Sequence, residues 1–240
     1  MYLEKVTKSL KENGSYRILF LGDSITSAEW VHPNWREIVE YVLKEELSAK
    51  LEDWKLPSWG IRFINSAFDG STTRDWLNLL DSAVLAEEPA MVIVMGTIND
   101  MDTGISAEEH VENLKQILDR LSSEVGDVIY STDIPADNTP HNDAHTKYID
   151  AVKDIFPIGE VLYINLFEEF RNLDLSRFFT FVSRGNEAVG IEPGEIDFVH
   201  PNQLGNAYIA KYILDKVFGI NFDPERYIEE NNSGKMFPSY

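Results

Sequence analysis

The chain has 240 residues, 43% of them hydrophobic and 12% aromatic, enough apolar material for one sizeable core. Its 41 acidic residues outnumber 21 basic ones, for a formal net charge of -20, and it contains no cysteine. Such acidity disfavours phosphate backbones and anionic lipid surfaces, so nucleic acid and membrane are not expected partners. The missing cysteine removes disulfides, thiolate metal ligands and cysteine nucleophiles, and fits a reducing compartment.

Taken in chain order, the residues Met1 to Lys8 lack the apolar core of a signal peptide, and no apolar run is long enough to span a bilayer. A cytoplasmic protein is expected, with secretion open if a leader was removed. Short apolar runs at 17–22, 61–66, 90–96, 127–132 and 160–165 read as buried strands. Between them lie amphipathic helical patterns at 34–52, 74–87, 107–122 and 142–156, the first with Trp35, Ile38, Val39, Val42, Leu43 and Leu47 on one face. A last helix is expected from about Pro201 to Phe218. This alternation predicts an α/β fold in which a parallel sheet carries helices on both sides. Right-handed crossovers then bring every strand's carboxyl end to one rim. No repeat or linker divides the chain, so 1–240 reads as a single domain. The segment 171–199, with Gly185, Gly190, Pro193 and Gly194, reads as a long functional loop. The turn-rich tail 221–240 is expected to pack back through Phe222, Tyr227, Phe237 and Tyr240.

Chemistry concentrates where those strands end. Gly22-Asp23-Ser24-Ile25 follows the first apolar run, so Ser24 sits where open α/β sheets bind ligands. By itself the segment also reads as a helix cap. A serine hydroxyl becomes a nucleophile only beside a base. Asp197-Phe198-Val199-His200, on the turn entering the last helix, can place a carboxylate against one imidazole nitrogen while the other faces the serine. A surface Asp–His pair is the bland alternative. Gly70, in the loop after the second strand, would let its backbone N–H approach a ligand. Asn99, in Gly96-Thr97-Ile98-Asn99-Asp100 after the third, could donate an amide hydrogen. Donors aimed at developing negative charge are each worth about 3–4 kcal/mol.

These four blocks, in this order across nearly the whole chain, resemble the SGNH, or GDSL-type, hydrolase superfamily. The resemblance implies a flavodoxin-like three-layer αβα sandwich with a five-stranded parallel sheet, and an esterase or deacetylase activity with no cofactor or metal. Carried over by position, it makes Ser24 the nucleophile, His200 the general base and then acid, and Asp197 the residue that orients His200. The Ser24 N–H, the Gly70 N–H and the Asn99 side chain would form the oxyanion hole. One departure stands out: the family's third block usually reads Gly-x-Asn-Asp, and here it carries an extra residue. Either Thr97 takes the usual glycine position or the loop bulges.

Asp23 and Thr97, within these blocks, and Trp30 and His32, in the loop past Ser24, are candidates for substrate contacts. Trp35, Trp54 and Trp59 share that aromatic-rich region, where part of the set is expected to be core. His141 and His145 are four apart, but Asn142 stands where a zinc protease carries its glutamate, so a solvated helix start or the site rim is the better reading. Asp23, Asp100, Asp102, Asp133 and Asp137 collect at strand ends and raise a Mg²⁺-dependent phosphatase as a competitor. That reading leaves His200 without a role. The expected activity is hydrolysis of short-chain, especially acetyl, esters of carbohydrates or small alcohols through an acyl-enzyme. A lysophospholipase or thioesterase activity, or a non-catalytic ligand-binding module, are the alternatives.

Overall fold

The computed structural model describes residues 2–240. Its strands are β1 (Tyr16–Gly22), β2 (Ile61–Ala67), β3 (Met91–Met95), β4 (Asp127–Ser131) and β5 (Leu162–Ile164). Its helices are α1 (Tyr2–Asn13), α2 (Ser24–Ser27), α3 (Trp35–Leu51), α4 (Lys55–Gly60), α5 (Thr73–Leu79), α6 (Ile98–Asp102), α7 (Ala107–Glu124), α8 (Thr139–Lys153), α9 (Leu166–Phe170), α10 (Gln203–Ile213) and α11 (Pro224–Asn232). Wider π-helical turns prolong α5 through Val84 and α10 through Phe218.

All strand pairs are parallel, in the order β2-β1-β3-β4-β5. Alternate residues of the inner strands point to opposite layers, as the pleat requires. Ile18, Phe20, Met91, Ile93 and Met95 join a core with Trp35, Ile38 and Val42 of α3, Val6 and Leu10 of α1, and Ile209 and Ile213 of α10. Leu19, Leu21, Val92, Val94 and Tyr130 join a second core with Trp76 of α5 and Leu114, Ile117 and Leu121 of α7. Two apolar layers around one sheet make the three-layer sandwich. No helix among the described residues is long and apolar enough to cross a membrane.

The strands also end level with one another. Gly22 pairs with Ala67 on one side and Met95 on the other, and Met95 pairs with Ser131. The loops after β1, β2, β3 and β4 therefore leave the sheet along one rim, and the chain order reverses between β1 and β3. A crevice at such a reversal is where doubly wound sheets place ligands.

Close approach at that crevice accounts for Gly22. A Cβ there would lie 2.6 Å from Thr26 Oγ1 and 2.9 Å from the Met95 carbonyl oxygen, so either α2 or β3 would have to move. Gly22→Ala is expected to destabilise the fold by about 1–3 kcal/mol, as overpacking does, and to displace Ser24. Urea unfolding alongside ester turnover checks this. An unchanged midpoint with full activity would show that the site yields freely.

Several boundaries differ from the sequence reading for local reasons. The α8 helix begins at Thr139 rather than 142, because the Asn138 side chain accepts the His141 N–H and Pro140 suits the first turn. The α10 helix begins at Gln203 because Asn202, not the residue before Pro201, supplies the cap to Gly205 N–H. The α1 and α4 helices were not anticipated: the first buries only Val6, Thr7 and Leu10, and the second contains Pro57 and ends at Gly60. The tail holds helix α11, capped by Asp223. Phe222 and Tyr227 are buried and Tyr240 stacks on Phe222, whereas Phe237 is exposed and does not join them.

Candidate active site

Ser24 opens α2 directly after β1, with Asp23 as the cap whose carboxylate accepts the Ile25 N–H at 3.0 Å. From 176 residues away, His200 brings its Nε2 to 3.0 Å from Ser24 Oγ. Its Nδ1 lies 2.8 Å from Asp197 Oδ2. A carboxylate only accepts, so Nδ1 carries the proton and the Nε2 lone pair faces the hydroxyl. The other Asp197 oxygen accepts the Val199 and His200 N–H groups at 2.9 and 3.0 Å, which locks the turn. Burial alone would raise the Asp197 carboxyl; the hydrogen bond and charge of His200, with those backbone donors, outweigh it and hold the group below its ordinary range. Asn206, fully buried in α10, accepts the Trp35 N–H and donates to the Pro201 carbonyl. It thus ties the His200 turn to the start of α3.

Gly70 lies across the cleft with φ +70°, a left-handed conformation natural to glycine. Neither its N–H nor that of Ser24 finds a backbone acceptor among the described residues. Asn99 donates one amide hydrogen to the Ser71 carbonyl at 3.1 Å, which fixes the orientation of its side chain. Ser24, Gly70, Asn99 and His200 line one cleft of about 270 Å³, together with Trp30, Asp69, Asp102, Thr103 and Val199 and with Asn186, Ala188 and Val189 of the 171–199 loop. A hydroxyl, an imidazole base and convergent N–H donors around one cavity suit nucleophilic attack on a carbonyl.

The GDSL-like lipase/acylhydrolase family model matches residues 20–208. The chain belongs to that family. Membership makes it a GDSL-type carboxylic ester hydrolase. Among solved structures it is similar to Axe2, an acetylxylan esterase from Geobacillus stearothermophilus, at 22% identity and a TM-score of 0.62, over 84% of this chain and 93% of that one. A catalytic mutant of Axe2 with a serine replaced by alanine aligns at 21% identity and 0.64, over 87% and 95%. The acetyl xylan esterase AlAXEase aligns at 19% identity and 0.63, over 84% of this chain and 99% of that one. At such identities the likeness carries the SGNH hydrolase fold. A comparison with curated proteins gives no match.

Within this GDSL-type site the third block resolves its extra residue by turning Thr97 inward. The Thr97 N–H donates to Asp133 at 2.6 Å and the Ile98 N–H at 2.8 Å, while Thr97 Oγ1 lies 2.7 Å from His145 Nε2. Gly96, at φ +150°, packs against Trp76 and Asp23, and α6 starts at Ile98, leaving Asn99 on the cleft wall. Thr97 is therefore a buried anchor and not a substrate contact. Two other candidates also fall outside the cleft. Asp23 is buried beneath Ser24, and His32 is exposed and pairs with Glu37 at 3.2 Å. Of the four candidate contacts, only Trp30 lines the cavity. The sequence does not single out Asp69 or Thr103, and it marks Asp102 only as a metal ligand. Asn186, Ala188 and Val189 belong to the 171–199 segment expected to be functional, though only the fold aims them into the cleft.

Of the strand-end aspartates, Asp23, Asp100 and Asp133 are buried struts, whereas Asp102 lines the cleft and Asp137 is exposed. Among the described residues no group of three or more His, Cys, Asp or Glu side chains is arranged to hold a metal ion. Burial and the neighbouring Asp133 charge push Asp23 well above the usual carboxylate range, and burial likewise raises Asp133. His145 is no solvated helix residue: burial, with His141 and His110 nearby, lowers its pKa to about 3 and keeps it neutral. His141 pairs with Asp102 at 3.0 Å on the cleft rim.

Asp100 anchors the Asn99 helix. Its carboxylate accepts the Thr73 N–H at 2.8 Å and lies 2.8 Å from His110 Nδ1. Burial works to raise this carboxyl, but the donors from His110 and Thr73 hold it below its ordinary range. A carboxyl depressed in the folded state stabilises fully above its unfolded value of about 3.9 and loses that contribution as pH falls through the folded one. Asp100→Asn is accordingly expected to flatten the decline of urea stability between about pH 5 and pH 3. Parallel declines in both proteins would remove Asp100 from the acid-sensitive groups.

Proposed function

We propose that Ser24, His200 and Asp197 hydrolyse short-chain esters, acetyl groups on carbohydrates or small alcohols above all, through an acyl-enzyme. The observation that carries this reading is the 3.0 Å approach of His200 Nε2 to Ser24 Oγ, with Nδ1 held by Asp197. Ser24 Oγ attacks the ester carbonyl carbon as His200 Nε2 takes its proton, and the carbonyl π pair moves onto oxygen. The Ser24 and Gly70 N–H groups and the Asn99 amide receive that oxyanion. Its collapse breaks the bond to the alkoxy oxygen, which leaves with the proton from Nε2. Water then gives a proton to Nε2 and adds to the acyl carbon; a second collapse releases the acid and returns the proton to Ser24. Asp197 keeps the tautomer and stabilises the imidazolium in both halves.

The short acyl group and polyhydroxy alcohol are supported by the size and lining of the cleft. About 270 Å³ with Asn99, Asp102, Thr103 and Asn186 among its walls offers hydrogen bonds and little room for a long chain. Its two carboxylates, Asp69 and Asp102, disfavour anionic substrates. The acetylxylan esterases of the same fold accord with this choice.

Two measurements test it. A fluorophosphonate is expected to label Ser24, seen by peptide mass, and p-nitrophenyl acetate should react faster than the octanoate. Label found elsewhere would dismiss the nucleophile, and a rate climbing with chain length would favour a lysophospholipase or thioesterase.

A further inference from the structure

Trp30 has no part in the proton transfers proposed above, yet it makes the closest ring contact at the site. Its indole lies against the His200 imidazole with centroids 3.9 Å apart and planes 6° from parallel. Nearly half of the side chain is exposed, so core packing does not hold it there. A network of local contacts does. Ala28 ends α2 at φ +71°, a left-handed turn that redirects the chain. The indole N–H donates to Asp69 Oδ2 at 3.1 Å, and the other Asp69 oxygen accepts the Ser27 hydroxyl. The Asn65 amide donates to the Ser27 carbonyl at 2.9 Å. Asp69 directly precedes Gly70. One carboxylate thus joins the nucleophile helix, the loop bearing the Gly70 N–H, and the indole.

We propose that Trp30, anchored by Asp69, is a positioning residue for His200, a claim that rests on reading His200 as the base for Ser24. The stack covers one face of the imidazole and resists rotation of the ring away from the hydroxyl. It also favours one charge state. When His200 takes the serine proton it becomes a cation against an aromatic face, which attracts it more than the neutral ring. A contact that strengthens as the transition state forms accelerates the step, whereas uniform binding would not. The charged groups around His200 are Asp197 on its own turn and Asp69 and Asp102 across the cleft. All three remain when only the indole is changed.

The test compares Trp30→Ala, Trp30→Phe and Asp69→Asn with p-nitrophenyl acetate over a pH series. Trp30→Ala is expected to lose about tenfold in kcat, with KM little changed and the acid limb moved to lower pH, because the imidazolium has lost its partner. Trp30→Phe keeps an aromatic face and should recover most of the rate, with Asp69→Asn between them. A spectroscopic readout is independent of turnover. A protonated imidazole in contact quenches indole emission, so the wild type should show a pH-dependent emission step absent from both Trp30→Phe and His200→Ala. Wild-type kcat with an unmoved acid limb in Trp30→Ala, a change in KM alone, or an equal loss in Trp30→Phe would each overturn the proposal. So would an emission step that survives in Trp30→Phe. Full activity in Ser24→Ala would instead defeat the parent reading, while an inactive Ser24→Ala beside an unaffected Trp30→Ala defeats the clamp alone.

Discussion

Ser24→Ala is expected to lower ester turnover by roughly 10⁴- to 10⁶-fold while leaving the fold intact. The substitution removes the atom that attacks, and nothing else in the cleft replaces it. Asp69, Asp102 and Thr103 are the other nucleophilic groups there, but among the described residues Ser24 alone partners His200 Nε2, and the Thr103 hydroxyl bonds to the Asn99 carbonyl. The structural cost is small: Ser24 gives up one hydroxyl contact at the cleft, and the cap on α2 comes from Asp23. The hole and the binding surface persist, so weak residual turnover is expected. Stopped assays with p-nitrophenyl acetate, together with circular dichroism and urea unfolding, separate lost chemistry from lost structure. Activity within tenfold of wild type in a folded variant would end the serine mechanism.

Asp197→Asn is expected to cost about 10⁴-fold in kcat through tautomer reversal, the effect known for this substitution in serine-protease triads. One asparagine atom can still accept the Val199 and His200 N–H groups that Asp197 Oδ1 now holds. The other position then becomes an NH₂ donor facing Nδ1. His200 must turn Nδ1 into an acceptor and carry its proton on Nε2, toward Ser24, where it cannot take the serine proton. The turn survives and the base does not. A variant that binds substrate with near-native KM, unfolds near the wild-type midpoint and turns over slowly would fit this account. Retention of wild-type kcat would mean that Asp197 serves only the turn.

How much of this was visible in the chain depends on whether the signal was local. The inner strands β1 and β3 are built on continuous apolar runs, and α3 and α7 show a clear apolar stripe, so element type and sequence follow from short-range pattern. The α1, α4 and α11 helices were not legible, because few of their residues face the core and the apolar stripe is correspondingly short. Ser24, Gly70, Asn99, Asp197 and His200 stood out because each belongs to a short block at a strand end or helix entry. Thr97 lies in one of those blocks and His32 in the loop past Ser24, yet neither lines the cleft. Proximity in sequence cannot tell a side chain turned to the cleft from one turned to Asp133 or Glu37.

From residue order alone came the kind of fold, the rim on which chemistry gathers, and the residue types brought to it. The strand order, the stack of Trp30 on His200, the carboxylates of Asp69 and Asp102 in the cleft, and the inward turn of Thr97 were decided only in three dimensions. The reason is physical. Periodicity and capping act over a few residues, but a side chain's direction at a loop is set by whichever distant group satisfies its hydrogen bonds or covers its apolar face, and folding alone brings that group near.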